Sequence, residues 1–156
     1  MRGGYFDDSF IGTYPVGEEG SPLTAGIVMP NNSEGVYYAE DPTYFNASNG
    51  NLFTYDIELT SAPPYEGYYL ATASFDNLVA FEPYKNLQGS TRLVCNVVNL
   101  VLSCSFPDGP GNFWGCVDPA GEIIPTLGIW PPSVTQPGVD IGLDCYPITT
   151  MAVVYP

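Results

Sequence analysis

Residues 93–106, LVCNVVNLVLSCSF, decide the fold class of this chain. The segment contains no glycine or proline, and its apolar residues alternate with other residues. A period of two predicts a pair of β-strands, here joined by a tight turn at Val98-Asn99. When Cys95 is set opposite Cys104, one face of the hairpin becomes apolar and the other mostly polar, as a half-buried antiparallel pair requires. The other pairs in this register are Val97 with Leu102, Leu93 with Phe106, Asn96 with Ser103, and Val94 with Ser105.

The four cysteines are Cys95, Cys104, Cys116 and Cys145. Their spacing lacks the C-x-x-C pairs typical of zinc sites, so their even number favours disulfides and an oxidising compartment. The hairpin register predicts Cys95–Cys104 if the two residues occupy a non-hydrogen-bonded position, where side chains are closest. Cys116–Cys145 then remains by elimination. A shifted register would instead pair Cys95 with Cys116 or with Cys145.

The rest of the chain also predicts short strands. The sequence contains 17 glycines and 16 prolines, which recur too often for a long helix. Residues 53–59 alternate most clearly, with aromatic and aliphatic side chains on one face and polar ones on the other. We therefore predict one all-β domain over residues 1–156, an antiparallel barrel or sandwich, with a β-trefoil as the alternative. The predicted strands are 9–14, 24–29, 35–39, 52–60, 67–74, 77–81, 92–97, 100–105, 112–117, 122–127 and 148–155.

Composition excludes several classes of function. Seventeen acidic residues and only three basic ones (Arg2, Lys85 and Arg92) give a formal net charge of -14. Nucleic acids and anionic membranes are therefore poor partners, because both require clustered lysine and arginine. The sequence has no histidine, so serine–histidine and cysteine–histidine nucleophiles cannot be built within the chain. It also has no apolar run long enough for a transmembrane helix.

Aromatic side chains are the strongest candidates for a ligand-binding surface, since aromatic residues make up 14% of the chain. A tyrosine or tryptophan ring combines an apolar face with a polar tip, which suits binding surfaces and stacking on sugar rings. Trp130 lies in the proline-rich segment 129–144, and we expect it to be an exposed anchor. Trp114, Tyr38 and Tyr69 are the other candidates, and the predicted partner is a polysaccharide or cell-wall glycan.

Carboxylates are the only catalytic option. Asp56 and Glu58 fall on one face of a predicted strand, at a separation within the range of inverting glycosidases. Ordinary charges on a solvated strand face are the favoured explanation of this pair, so we assign no catalytic residue. Residues 108–112 and 118–122 offer oxygen ligands for calcium but match simple turns better. No cofactor or metal is predicted.

Two N-x-S/T triplets favour a secretory protein. They place acceptor sites for N-linked glycans at Asn31 and Asn46. The first four residues lack the apolar core of a signal peptide, so we expect Met1 to stand in place of a removed leader. A cytosolic protein that starts natively at Met1 is the alternative.

The spacing of motifs in the second half of the chain is also informative. In order, the motifs are L-x-C at 93–95, L-S-C at 102–104, F-x-x-C at 113–116, Leu-Gly at 127–128 and C-x-x-I-T at 145–149. Over about residues 93–154 this order resembles a diffuse group of small secreted or cell-surface proteins of filamentous ascomycete fungi. Segments 67–70 and 78–81 fit the same group more loosely. The resemblance implies an extracellular fungal location and a disulfide framework, but it carries no catalytic motif. The segment 129–144 is longer than is usual in the group, which leaves the partner of Cys116 open.

These observations predict a secreted, non-enzymatic surface or cell-wall protein that binds carbohydrate through exposed aromatic residues. One alternative is a small hydrolase that uses carboxylates at acidic pH. The other is a structural protein that self-assembles through exposed strand edges. The sequence leaves the oligomeric state open.

Overall fold

The computed structural model describes residues 1, 4–6, 9–15, 23–28, 45–48, 50–55, 68–83 and 90–153. These residues form an antiparallel all-β fold, as predicted. No helix within these ranges has the length and apolarity needed to cross a bilayer. The strands are β1 (Phe10–Pro15), β2 (Leu23–Val28), β3 (Phe45–Ser48), β4 (Asn51–Tyr55), β5 (Tyr68–Ala73), β6 (Val79–Pro83), β7 (Thr91–Arg92), β8 (Val94–Val98), β9 (Val101–Phe106), β10 (Gly109–Pro110), β11 (Asn112–Val117), β12 (Thr126–Trp130), β13 (Asp144–Pro147) and β14 (Met151–Ala152).

The strands form two sheets that share one core. The larger, ten-stranded sheet runs in the order β13-β11-β12-β2-β6-β5-β4-β3, with β1 paired to β2 and β7 paired to β5. The smaller sheet contains β8, β9, β10 and β14. Buried side chains from both sheets, among them Phe81, Ile129 and Leu102, belong to a single hydrophobic cluster. This is a layered arrangement in which the two inner faces bury each other.

The β8–β9 hairpin has the register predicted from the sequence. Cys95 lies opposite Cys104 and forms a disulfide with it, and all five cross-strand pairs agree with that alignment. The two Cα atoms are 4.1 Å apart, nearer to the spacing of about 4.5 Å expected for a non-hydrogen-bonded pair than to about 5.5 Å. Cys116 pairs with Cys145 across β11 and β13. Both bridges confirm the predicted connectivity and indicate an oxidising environment.

The predicted position of the hairpin turn was wrong by one residue. Val98 pairs with Val101, so the turn consists of Asn99 and Leu100, which have φ angles of 51° and 62°. Two consecutive positive φ angles are characteristic of a type I′ turn, whose twist matches the twist of the flanking strands. This position follows from the alignment of the cysteines. When Cys95 lies opposite Cys104, Val98 lies opposite Val101, and only Asn99 and Leu100 remain to form the turn.

Leu100 is unfavourable in this turn, and we expect Leu100→Gly to stabilise the protein. A side chain at positive φ costs roughly 1 kcal/mol, and that of Leu100 is 54% exposed, so it recovers little through burial. Glycine avoids this cost, but it also raises the conformational entropy of the unfolded chain, which offsets part of the benefit. The expected increase in the free energy of unfolding is therefore about 0.5–1 kcal/mol. Urea titration of both proteins measures the change. Leu100→Ala is the matched control: it removes apolar surface but retains Cβ, and an equal gain would contradict the backbone explanation.

Several strand boundaries differ from the predictions for local reasons. The strand expected at 122–127 begins at Thr126, because Asp118 accepts backbone hydrogen bonds from Ala120 and Glu122 and closes a turn there. Of the strand expected at 148–155, the described part forms a strand only at β14, and β13 ends just before it at Pro147. The strand expected at 35–39 and residues 56–60 of another lie outside the described residues.

A second, smaller cluster covers the opposite face of β12. All five residues of β12 are buried, because alternate side chains point into the shared core and into this second cluster. Residues 131–143 fold back over the sheet and supply much of the cover, including a 3₁₀ turn at Val139–Ile141. We call this group the outer cluster; its members are Leu78, Trp114, Cys116, Trp130, Val134, Ile141, Leu143 and Cys145.

Candidate functional site

A glycine on β11 makes room for a buried aromatic ring. Gly115 lies on the inner face of the large sheet, and a Cβ atom at this position would overlap the ring of Phe6. Phe6 is fully buried and belongs to the shared core. Its backbone carbonyl accepts a hydrogen bond of 3.1 Å from the amide of Ser9, the residue just before β1. Phe6 therefore anchors the described residues 4–6 to the sheet.

Phe6 supports two exposed tyrosine rings. Tyr146 lies opposite Gly115 on the neighbouring strand β13, and Tyr5 immediately precedes Phe6. The rings of Tyr5 and Tyr146 are parallel within 4°, with centroids 4.3 Å apart. Phe6 meets Tyr5 edge-on at 4.9 Å and Tyr146 edge-on at 6.3 Å. We call Tyr5, Phe6 and Tyr146 the aromatic stack.

The aromatic stack presents apolar surface to solvent on a braced support. Tyr5 is 50% exposed and Tyr146 is 37% exposed. Tyr146 directly follows Cys145, whose disulfide to Cys116 fixes β13 to β11. Offset-stacked and edge-to-face contacts between aromatic rings contribute about 0.5–1.5 kcal/mol each beyond area burial. These rings are consequently held in place before any ligand arrives, which lowers the entropic cost of binding.

An acidic side chain lies beside the aromatic stack. Asp144 is exposed and is two residues before Tyr146 on β13, so both side chains project to the same side of the strand. Val117, the cross-strand partner of Asp144, is partly buried and packs against the core. Among the described residues, the site therefore combines electron-rich ring surface with the solvent-facing carboxylate of Asp144.

A second surface feature is an open depression at the junction of the two sheets. It is lined by Asn77, Thr91, Phe106, Pro107, Asp108 and Pro131. Asn77 has a structural role, since its side chain donates to the carbonyl of Ile129 at 3.0 Å and its own carbonyl accepts from the Ile129 amide at 2.9 Å. The remaining polar side chains, Thr91 and Asp108, are both exposed. A small-molecule pocket normally encloses its ligand with convergent polar groups, so the depression is the weaker candidate.

The described carboxylates have structural or solvent-facing positions. Glu82 is buried and accepts a hydrogen bond of 2.6 Å from the hydroxyl of Thr72. Both carboxylate oxygens of Asp118 accept backbone N–H groups at 3.0 Å, which supports the interpretation of 118–122 as a turn. Within the described ranges, no three Asp, Glu or Cys residues come together as potential metal ligands. The pair Asp56 and Glu58 lies outside those ranges.

The predicted exposure of Trp130 was wrong. Trp130 is the last residue of β12, and only 7% of its surface is accessible. Its ring covers the backbone of Gly128, the preceding residue on the same face, where a Cβ atom would overlap the indole. Residues 131–143 cover the other side. The proline-rich segment thus buries the tryptophan instead of presenting it.

The other predicted binding and modification residues have varied positions. Trp114 is partly buried and packs against the outer cluster. Tyr69 belongs to β5, but its side chain is not among those described. Asn46 lies within β3, at one end of the large sheet, opposite Phe53. Tyr38 and Asn31 lie outside the described residues.

Sequence reasoning missed the two tyrosines of the aromatic stack. Tyr146 follows a cysteine within a strand, and alternation places the two residues on opposite faces, so this signal could have marked Tyr146 as facing away from the disulfide. No local signal identifies Tyr5, because its neighbour Tyr146 comes from the other end of the chain.

Comparisons of the chain with models of known protein families, with curated proteins and with solved structures give no match. The resemblance to secreted fungal proteins therefore stays a prediction, and the geometry of the site carries the functional argument.

Proposed function

We propose that this protein is a secreted, non-enzymatic domain that binds carbohydrate on the aromatic stack. The observation that carries the proposal is the exposed, parallel pair of Tyr5 and Tyr146, held by Phe6 and by the neighbouring disulfide. The C–H faces of a sugar ring are apolar and can cover a tyrosine ring. The tyrosine hydroxyls donate to and accept from the hydroxyls of the sugar.

Three further features support a location outside the cell. The disulfides need an oxidising compartment for their formation and persistence. The acceptor triplets at Asn31 and Asn46 and the resemblance to fungal surface proteins favour the secretory pathway and a fungal cell wall. A surplus of carboxylates keeps such an aromatic-rich domain soluble.

The two alternative functions, a hydrolase and a self-assembling structural protein, have less support than carbohydrate binding. A hydrolase needs a pair of carboxylates facing one cleft, whereas the described carboxylates Glu82, Asp118 and Asp76 accept hydrogen bonds from within the fold. Self-assembly through strand edges is opposed at the ends of the large sheet, where β3 and β13 have only four residues each. β13 also contains Pro147, which cannot donate to a strand from another molecule.

Tyr5→Ala and Tyr146→Ala are expected to weaken carbohydrate binding. Loss of one stacking ring should cost about 1–2 kcal/mol, a factor of roughly 5 to 30 in Kd. Polysaccharide pull-down and a glycan array identify a ligand of the wild type, and isothermal titration then measures Kd for each variant. Because both side chains are partly exposed, the variants should remain folded.

Phe75→Ala is the matched control for these variants. Phe75 is 99% exposed and lies in the turn between β5 and β6, so its removal deletes an exposed aromatic side chain elsewhere. The proposal predicts wild-type affinity for this variant. Absence of any glycan ligand, or equal losses in all three variants, would overturn it.

A further inference from the structure

The aromatic stack and its neighbouring carboxylate form a combination suited to a positively charged sugar. Successive residues of a strand advance by about 3.3 Å, so the Cα atoms of Asp144 and Tyr146 are separated by about 7 Å, a distance that a sugar ring and its substituents can span. A sugar that covers the tyrosine ring would bring its substituents within reach of the exposed Asp144 carboxylate. The faces of aromatic rings also attract cations.

The charge of the whole chain acts in the same direction. The formal net charge of -14 repels uronate and sulfate polymers and attracts polycations towards the surface. Acidic sugars are usually held by arginine or lysine. Within the described ranges Arg92 is the only arginine or lysine, and its guanidinium donates to the side chain of Asn51, the first residue of β4.

We propose that the aromatic stack together with Asp144 selects polysaccharides with protonated amino groups, such as polymers of glucosamine, over neutral and acidic ones. This inference rests on the proposed function and specifies the class of sugar. The pyranose ring covers the tyrosine surface, and its ammonium group donates to the Asp144 carboxylate. Since charge-assisted hydrogen bonds are roughly twice as strong as neutral ones, the amino group decides the preference.

The test uses two β-1,4-linked oligomers of equal length, one of glucosamine and one of N-acetylglucosamine, which differ in the acetyl group that removes the charge on nitrogen. At a pH where the amines are protonated, the wild type should bind the glucosamine oligomer at least tenfold more tightly. Asp144→Asn should remove most of this preference and leave the affinity for the acetylated oligomer within about twofold. Added salt should weaken the binding of the glucosamine oligomer but not that of the acetylated oligomer.

Asp140→Asn is the matched control, because Asp140 is exposed in the 3₁₀ turn and its replacement changes the net charge by the same amount. It should retain the preference for the amine. Equal reduction of the preference by Asp140→Asn and Asp144→Asn, or strong binding of polylysine independent of Tyr5 and Tyr146, would show general attraction of polycations and overturn the inference.

The outcomes also separate this inference from the function on which it rests. Equal affinity for the two oligomers, with loss of binding in Tyr146→Ala, overturns the preference for amines and supports a carbohydrate site. Binding that is insensitive to Tyr5→Ala and Tyr146→Ala, or no binding of any glycan, overturns both.

Discussion

Trp130→Ala is expected to lower the free energy of unfolding by about 3–5 kcal/mol, the usual cost of removing a large buried aromatic side chain. Trp130 is one of the three buried members of the outer cluster, with Cys116 and Leu143. Its removal leaves a cavity between the large sheet and residues 131–143. Since the Cys116–Cys145 disulfide restrains that region, the cavity can collapse only in part.

Urea titration followed by circular dichroism measures this loss. Trp130→Phe is the matched variant, which keeps an aromatic ring and should lose markedly less. Gly128→Ala tests the same contact from the backbone side, because its new Cβ atom would displace the indole of Trp130 at an expected cost of about 1–3 kcal/mol.

At a temperature where Trp130→Ala remains folded, its affinity for carbohydrate should match that of the wild type. Unchanged stability together with lost binding would instead restore Trp130 as an exposed anchor.

The strands with strong local alternation were predictable from the sequence. Within residues 93–106, the alternation of apolar and polar side chains puts the apolar ones on one face of the hairpin when Cys95 lies opposite Cys104. The alternation and the disulfide therefore specify the same register. The strand predicted at 112–117 has the same bounds as β11. At these places propensity, alternation and the disulfides all agree.

The burial of Trp130 was not predictable in this way. Its position next to two prolines suggested a loop, but the path of that loop depends on backbone conformations at glycines. Gly138 and Gly142 have φ angles of 85° and 72°, which return the chain towards β13. A high proline content predicts that a segment is a loop, but it does not predict which surface of the protein the loop packs against.

The aromatic stack depends on contacts between distant parts of the chain. Tyr5 and Tyr146 come from opposite ends of the sequence and meet only because Gly115 admits the ring of Phe6. A glycine within a strand can signal a close approach, but it does not identify the approaching group. Identifying the candidate site therefore required the tertiary structure, whereas identifying the fold class did not.

Removing the Cys116–Cys145 disulfide is expected to cost more than removing Cys95–Cys104. The first closes a loop with a sequence separation of 29 residues and the second one of 9. The chain-entropy relation gives about 3–4 kcal/mol for the longer loop and about 2.5 kcal/mol for the shorter one. The comparison uses two double variants, Cys116→Ser with Cys145→Ser, and Cys95→Ser with Cys104→Ser, each unfolded in urea without reductant.

The two double variants should also differ in carbohydrate binding. Tyr146 is adjacent to Cys145, so loss of that bridge loosens β13 and the support of the aromatic stack. The β8–β9 hairpin lies in the other sheet, and loss of its bridge leaves the aromatic stack in place. Under conditions where both variants are folded, we expect at least a fivefold rise in Kd for the first and less than twofold for the second. Equal affinities would show that the tyrosine pair is held by the Phe6–Gly115 contact alone, because that contact is common to both variants.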